Sequence, residues 1–308
     1  MSEGILKKRG GKGACYRVPR KITKKYIILG ILLWLLALAF IFPVVMTFTD
    51  SFMSESEITE NYGPINNNGS LERNESQYAD AKLIPDVVSA DQYYSVLIGN
   101  TGFLMMFWNS VKLVLPIILG QMAIGALAAY AFTMFRFPGK NAVFAIYLIT
   151  MLMPFQVTLV PNYLMADALG ILGNYAAIIF PGIFTTFGVF LLRQFMGHIP
   201  RECIEAAKID GAGYVKIFFK IVLPLCKPAL ASLVILSFID NWGMIEQPLV
   251  FLKDANLQPL SLYLSKINAG SLGVAFAASA LFMLPIILVF LYGENHLVEG
   301  IQLTNIRE

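Results

Sequence analysis

The stretch that decides the fold is YIILGILLWLLALAFIFPVVMTF, residues 26–48, which contains no charged side chain. The hydrocarbon core of a bilayer is about 30 Å thick, and a helix needs about 20 apolar residues to cross it. Backbone amides cannot remain unpaired in lipid, so a run of this kind must be helical if it enters the membrane. We therefore predict a transmembrane helix over 26–48.

Five further apolar runs follow along the chain, and they predict five further spans. They cover residues 103–135, 142–159, 175–195, 228–247 and 274–292. Of the 308 residues, 57% are hydrophobic and 14% are charged, whereas soluble domains carry about 25% charged residues. This composition excludes a water-soluble enzyme, a disordered chain and a disulfide-stapled secreted module. The fold class that we predict is all-α, a polytopic membrane protein with six transmembrane helices.

The basic residues orient these spans. The first 25 residues hold nine Lys and Arg and one acid, and a cytoplasmic position of this tail places 18 of the 23 basic residues on the cytoplasmic side. That asymmetry is typical of cytoplasmic loops. The segment 50–100 is then external, and it contains nine acidic residues and two basic ones. The predicted organisation is a basic cytoplasmic tail over 1–25, a six-span domain over 26–295 with a cytoplasmic loop at 193–227, and a cytoplasmic C-terminal tail over 296–308.

Motifs for catalysis and nucleotide binding are missing from the sequence. It contains no Gly-x-x-x-x-Gly-Lys-Ser/Thr loop, no Gly-x-Ser-x-Gly elbow and no His-Glu-x-x-His pair. Three cysteines and two histidines have no metal-ligand spacing. We therefore expect no catalytic residue, no metal and no cofactor in this chain. Lys112, Asp240 and Glu246 are the few charges within the spans, so a carrier with its own ion coupling is disfavoured.

The sequence of the loop at 193–227 predicts two short helices joined by a turn. Pro200 suits the first turn of a helix because its missing N–H has no partner there. The glycine-rich segment at 210–213 has turn chemistry, and Pro224 is expected to end the second helix. That helix is expected to present one apolar face, formed by Val215, Phe218, Phe219 and Val222. From spacing alone, an amphipathic connector on the membrane surface is an equally good interpretation.

The residues of this loop resemble the EAA signature of ABC-importer permeases, in the form found in the carbohydrate, maltose-type branch. The matching positions are Glu205, Ala206, Ala207, Asp210, Gly211, Leu223 and Pro224. The resemblance implies a permease subunit of a binding-protein-dependent sugar importer, with a cytoplasmic coupling helix-turn-helix. It further implies a second homologous permease, an ATPase dimer that binds ATP and Mg, and an extracytoplasmic sugar-binding protein. Within the loop, it implies a charged contact of Glu205 with the ATPase, a turn at Gly211 and close packing at Ala206 and Ala207.

Two regions depart from the pattern of that branch, namely span five and the C-terminal tail. In span five, Asp240, Asn241 and Trp242 offer the carboxylate, amide and aromatic groups that sugars require, and interhelical hydrogen bonding is the other interpretation. The departure of the tail leaves any contact with the ATPase in doubt. For the external segment 50–100, contact with the binding protein and an inert surface loop both remain open.

Two other functions remain as alternatives. The coupling loop alone does not define the solute, so an ABC permease for polyamine or phosphate is one of them. An intramembrane glycosyl-transfer enzyme is the other, although the sequence lacks the boundary carboxylate or metal cluster that it would need.

Overall fold

A computed structural model describes residues 24–66, 82–99, 101–266 and 272–302 of the protein, with side chains described except at 24, 63–66, 101 and 295–302. The predictions for most of the basic tail, for the centre of the external segment at 67–81 and for the end of the C-terminal tail lie outside these residues. Residues 267–271 lie outside them as well.

The described part of the chain is helical, as predicted, apart from one isolated bridge between Met53 and Val88. The first elements are α1 (Lys24–Asp50), α2 (Glu55–Asn66), α3 (Asp91–Tyr94), α4 (Thr101–Met134), α5 (Lys140–Met151), α6 (Phe155–Ala168), α7 (Ala176–Gly182) and α8 (Thr186–Met196). They are followed by α9 (Arg201–Ile209), α10 (Tyr214–Ile217), α11 (Leu223–Leu225), α12 (Lys227–Trp242), α13 (Glu246–Phe251), α14 (Leu260–Leu264) and α15 (Leu272–Gln302). Two π-helical turns cover Ser95–Gly99 and Phe218–Val222, and a 3-10 turn covers Ala255–Leu257.

Four stretches of the described chain are long and apolar enough to cross a membrane. They are Lys25–Asp50, Gly102–Met134, Ala176–Met196 and Leu272–Glu294. The number of spans rises to six if each of two bent helix pairs forms one span. These elements lie at the six apolar runs of the sequence.

One bent pair lies at the third predicted span, and the other joins the second helix of the predicted loop to the fifth span. The third run is a pair in which α5 stops at Met151 and α6 follows at 100°. Pro154 cannot donate a backbone hydrogen bond and disfavours helical geometry at the residue before it, which explains the break. In the second pair, the helical segment Tyr214–Leu225 meets α12 at 72°. Pro228 lies in the first turn of α12, where a proline is tolerated because it needs no amide partner.

The chain divides into two compact units, Met1–Met46 and Thr47–Glu308. The described part of the first unit is the apolar body of α1. In the second unit, α4 packs against α7, α8 and α12, and α12 packs along α15. A β-carbon added at Gly120 of α4 would stand 2.3 Å from Ile183, so only glycine permits this approach to the residue after α7. Small residues at such contacts are typical of helix packing in membranes.

Candidate coupling site and translocation path

The first helix of the predicted coupling loop is α9, and its two ends follow local chemistry. It starts directly after Pro200, as expected, with Glu202 in its first turn and Lys208 in its last. A negative charge near the N-terminus and a positive charge near the C-terminus both complement the helix dipole. The chain therefore begins and ends this helix without help from distant residues.

The turn after α9 is a Schellman motif centred on Gly211. Gly211 has φ +74°, and its amide donates to the carbonyl of Lys208 at 3.0 Å. The amide of Ala212 donates to the carbonyl of Ala207 at 2.9 Å. This pair of hydrogen bonds satisfies the last carbonyls of the helix, and it needs a residue that tolerates positive φ. The predicted turn at Gly211 is confirmed.

The two faces of α9 differ sharply. Ile204 and Ala207 are buried, and they pack into a core cluster with residues of α4, α8 and α12. Glu205 and Ala206 are exposed, and so is Ile209, with 86% of its surface accessible. The helix is thus held by one face and presents the other. Ala207 packs inside the protein, whereas Ala206 leaves a small, open position beside Glu205.

The second helix of the loop departs from the predicted apolar face. Ile217, Phe218 and Val222 are buried, but Val215 and Phe219 are 71% and 59% exposed. A π-helical turn covers Phe218–Val222, so the regular spacing on which the prediction relied does not hold from Phe218 onward. Val215 precedes this turn, and its exposure is not explained by it. The predicted face was therefore wrong for two of its four members.

Two motif positions at the end of this loop are also placed by the structure. Leu223 packs against the core cluster around α9, and Pro224 is exposed. Pro224 does not end the helix, because α11 continues to Leu225 and the bend follows at Cys226. The preceding π-helical turn already departs from regular helical hydrogen bonding, so the missing N–H of Pro224 disrupts little.

A tyrosine connects this loop to the long helix α4. The hydroxyl of Tyr130 donates to the backbone carbonyl of Tyr214 at 3.0 Å. The rings of Tyr130 and Phe218 lie 5.0 Å apart, and those of Phe135 and Tyr214 lie 5.0 Å apart. The loop is therefore attached to the end of α4 through packed rings and a directed hydrogen bond.

Of the three predicted substrate residues, Trp242 is packed inside the bundle. It is 2% exposed, and its Nε1 donates to the carbonyl of Phe282 at 3.1 Å. Its ring stacks on those of Phe238 and Phe282, with centroids 5.2 and 5.9 Å away, and Phe107 meets it edge-on. Both the indole N–H and the ring faces of Trp242 thus contact other residues of the protein.

The other two predicted residues have different environments. Asn241 is half-buried, and its Nδ2 donates to the carbonyl of Ser237 one helical turn earlier at 2.7 Å. Asp240 is exposed, and its carboxylate makes no ion pair within the described part of the chain. Of the three predicted substrate residues, Asp240 is therefore exposed, Asn241 is half-buried and Trp242 is buried.

A polar pair that the sequence analysis missed lies beside these residues. Nε2 of Gln156 stands 3.2 Å from each carboxylate oxygen of Glu246. Gln156 is in the first turn of α6, just beyond the break after α5, and Glu246 begins α13, just beyond the end of α12. Glu246 was recognised as an intramembrane charge, but its partner is 90 residues away. The available signal was that each residue follows a break in an apolar run.

Two buried carboxylates, Asp50 and Glu57, hydrogen-bond within the described ends of segment 50–100, which the sequence predicts to be external. Tyr62 donates to Oδ2 of Asp50 at 2.5 Å, and Oε1 of Glu57 accepts from the amide of Asp86 at 2.9 Å. Burial raises the pKa of Tyr62, and the hydrogen bond to Asp50 raises it further. Lys82 pairs with both Glu57 and Asp86. The described ends of this segment are thus specifically packed rather than a loose connection.

Comparison with known families tests the resemblance of the coupling loop. The model of the family described as "binding-protein-dependent transport system inner membrane component" matches residues 121–301. The chain belongs to this family. It is thus a non-catalytic, multi-pass membrane component of an ABC importer, as predicted.

Curated relatives share a large part of the chain. The sn-glycerol-3-phosphate transport system permease protein UgpE of Pectobacterium atrosepticum is 35% identical over 208 residues, which are 66% of this chain and 74% of the relative. The arabinooligosaccharides transport system permease protein AraQ of Bacillus subtilis is 27% identical over 226 residues, or 72% and 80% of the two chains. AraQ of Halalkalibacterium halodurans is 26% identical and covers 90% and 97%.

Two solved structures have the same fold. A chain of a bacterial ABC transporter involved in the import of the acidic polysaccharide alginate has a TM-score of 0.73 and 23% identity, with 87% of this chain and 95% of that chain covered. A chain of the bacterial alginate ABC transporter in complex with an alginate pentasaccharide-bound periplasmic protein has a TM-score of 0.61 and 14% identity, with 88% and 92% covered.

Proposed function

We propose that this chain is the transmembrane permease subunit of an ATP-driven, binding-protein-dependent importer of sugars or oligosaccharides. Its partners are a second homologous permease, an ATPase dimer that binds ATP and Mg, and an extracytoplasmic binding protein that delivers the solute. Family membership supports the transport system, and the AraQ relatives support a carbohydrate solute.

The exposed face of α9 is the observation that carries this proposal. Glu205, Ala206 and Ile209 are exposed on that face, and Ile209 is 86% exposed. An exposed large apolar side chain on the same short helix as an exposed carboxylate suits a surface that a protein partner covers. In this proposal the ATPase covers that face, and Glu205 meets a basic group there.

The coupling mechanism follows from how rigidly the loop is attached. The Schellman turn at Gly211 holds α9 at a defined angle to α10, and Tyr130 connects α10 to α4. ATP-driven closure of the ATPase dimer then moves α9, and the packed contacts carry that motion into the spans. Such a change requires ATP to bind one global state more tightly than the other.

The solute path in this proposal is lined by Asp240 and by the pair of Gln156 and Glu246. Ionisable side chains at membrane depth face water-filled cavities or protein rather than lipid. Irregular backbone at that depth is tolerated in the same places, and both members of the pair follow helix breaks. Carboxylates and an amide suit the hydroxyl groups of a neutral sugar. Trp242 shapes this layer by packing and does not contact the solute.

A phosphate-bearing solute is the second candidate, because UgpE is named for sn-glycerol-3-phosphate. Asp240 and Glu246 oppose it, since two carboxylates beside the path repel an anion. We therefore favour a neutral sugar over a phosphorylated one for the part of the path that this subunit supplies.

The experiment that tests the coupling role uses Gly211→Pro in the complete transporter. Proline cannot adopt φ +74° and removes the amide that donates to Lys208, so the turn is lost. We expect substrate-stimulated ATP hydrolysis in proteoliposomes to fall to the unstimulated level. Gly211→Asn is the matched control, because asparagine tolerates the left-handed conformation, and it should retain stimulation. Normal stimulation in an assembled Gly211→Pro complex would refute the role of this loop.

A further inference from the structure

A second polar site lies far from the proposed path, in the short connection between α4 and α5. The basic pocket is a cavity of about 320 Å³ lined by Arg136, Phe137, Gly139, Lys140, Asn141 and Ala142. It stands between the end of α4 at Met134 and the start of α5 at Lys140. Because both helices lie in predicted spans, this connection is expected at a membrane boundary. The distribution of basic residues in the sequence assigns this boundary to the cytoplasmic side.

The positive charge of this pocket has no acidic partner within the described residues. The ion pairs found there all involve Lys82, so Arg136, Lys140 and Arg193 have no carboxylate within 4.0 Å. Arg193 and Arg136 both lie close enough for their charges to act on Lys140. Arg136 and Lys140 thus line an open cavity, with the charge of Arg193 close by, and the three cations repel one another. Such an arrangement favours an anionic ligand.

The protein holds these cations in place through neutral groups, which leaves their charge uncompensated. Nζ of Lys140 donates to the backbone carbonyl of Phe135 at 3.0 Å and to that of Thr133 at 3.4 Å. The guanidinium of Arg193 lies 3.5 Å from the ring centre of Phe144. Lys140 and Arg193 are therefore oriented, and Arg136 is exposed at the rim of the pocket.

An exposed apolar track leads from the pocket toward the membrane interior. Val143, Ile146 and Ile149 follow one another at three-residue spacing on α5, and they are 49%, 62% and 63% exposed. Phe137 of the pocket itself is 40% exposed. Positive charge at the boundary followed by an apolar strip at membrane depth matches the headgroup and acyl chain of a lipid. A soluble anion or an acidic protein surface has no acyl chain to contact this apolar strip.

We propose that the basic pocket binds the headgroup phosphate of an anionic phospholipid of the cytoplasmic leaflet, with an acyl chain lying along Val143, Ile146 and Ile149. Basic pockets between spans on the cytoplasmic side are known to bind anionic headgroups. The site is independent of the transported solute, and it secures the hinge between α4 and α5 to the membrane. It thereby holds the first turn of α5, the helix that ends at Met151 near the proposed path.

The test measures lipid retention by the complete transporter with native mass spectrometry, after equilibration with phosphatidylglycerol and phosphatidylcholine of matched acyl chains. The wild type should retain phosphatidylglycerol in preference to phosphatidylcholine. Arg136→Gln should weaken this preference about fivefold, the factor that corresponds to one basic residue beside an anionic lipid surface. Arg136→Gln combined with Lys140→Gln should abolish it. Arg136→Gln keeps the test valid if the loss of Lys140 disturbs the end of α4.

The control is the double variant Lys220→Gln and Lys227→Gln, which removes two exposed cations of the same predicted side outside the pocket. It should keep the wild-type preference. An equal loss in this control would overturn the proposal, because retention would then reflect surface charge in general. Displacement of the lipid by excess inorganic phosphate would identify a free-anion site instead. Retention only in complexes stripped of the ATPase would identify an acidic protein surface as the occupant.

Discussion

The helices α9 and α12 both end next to a glycine, and they end for different reasons. After α9, Gly211 adopts φ +74° and closes a Schellman motif whose hydrogen bonds all lie within six residues. After α12, Gly243 has φ −87° and ψ 5°, a conformation open to any residue. Gly211 follows the C-cap residue Asp210, whereas Gly243 is itself the C-cap of α12. Glycine is thus obligatory in the coupling loop, where φ is positive, and incidental near the proposed path.

The end of α12 depends on partners from elsewhere in the chain. The hydroxyl of Ser261 in α14 donates to the carbonyl of Met244 at 2.5 Å, and Trp242 donates to the carbonyl of Phe282 in α15. These contacts hold the irregular segment between α12 and α13, which places Glu246 beside Gln156. The comparison shows that the coupling turn at Gly211 is formed by local hydrogen bonds. The residues around the proposed path, at the end of α12 and the start of α13, are instead positioned by tertiary contacts.

The largest expected effect comes from removing the tertiary support of the path layer. We expect Trp242→Ala to destabilise the protein by about 3–5 kcal/mol, the range for truncating a fully buried large aromatic side chain. The midpoint of thermal unfolding in detergent measures this loss of stability. Asp240→Ala is the matched control in the same helix, and it should stay within about 0.5 kcal/mol because the side chain is exposed. Equal stability of the two variants would contradict a packing role for Trp242.

A smaller effect is expected from the polar pair at the two breaks. Glu246→Gln removes the charge and one charge-assisted hydrogen bond to Gln156, which contributes about 1.5 kcal/mol or more. We expect about a tenfold rise in the concentration of solute-loaded binding protein that half-saturates uptake of a neutral oligosaccharide into proteoliposomes. Asp167→Asn, which alters an exposed carboxylate near the far end of α6, is the control. A shift of equal size in that control would remove Glu246 from the path.

The smallest effect tests the comparison of the two glycines directly. Gly211→Ala places a side chain at positive φ, which costs about 1 kcal/mol, although its β-carbon would meet no atom within 4 Å. Gly243→Ala keeps an ordinary backbone conformation, and its β-carbon would stand 3.6 Å from the carbonyl of Ile239. We expect thermal unfolding to shift downward for Gly211→Ala alone. A similar decrease for both variants would show that Gly243 is also obligatory.

The features that could be predicted from the sequence are those that depend on residues close together along the chain. Apolar runs longer than a bilayer's thickness mark helices, and the start of α9 after Pro200 and the turn at Gly211 follow from proline and glycine geometry. The predicted apolar face of the second helix was wrong at Val215 and Phe219, and a fixed helical spacing cannot represent the π-helical turn that starts at Phe218. The role of Pro224 as a helix end was wrong because α11 continues past it to Leu225.

The pairing of Gln156 with Glu246 was beyond sequence reasoning. No periodicity connects two residues 90 positions apart, and their meeting depends on a 100° bend between α5 and α6. The burial of Trp242 was equally hidden, because an aromatic side chain next to Asp240 and Asn241 has the same composition as a sugar site. Whether its faces are free depends on Phe238 and Phe282, and the latter belongs to another helix.

The sequence by itself determined that this protein consists of membrane helices, that it belongs to the importer permeases and that a turn follows α9 at Gly211. It could do so because lipid imposes length and composition on a span, and because a Schellman turn needs only its own six residues. Tertiary structure alone decided which polar side chains remain available. Trp242 is enclosed and Asp240 is exposed, although they are two residues apart, because neighbouring helices cover only one side of α12. Tertiary structure also left Arg136, Lys140 and Arg193 without a carboxylate partner among the described residues.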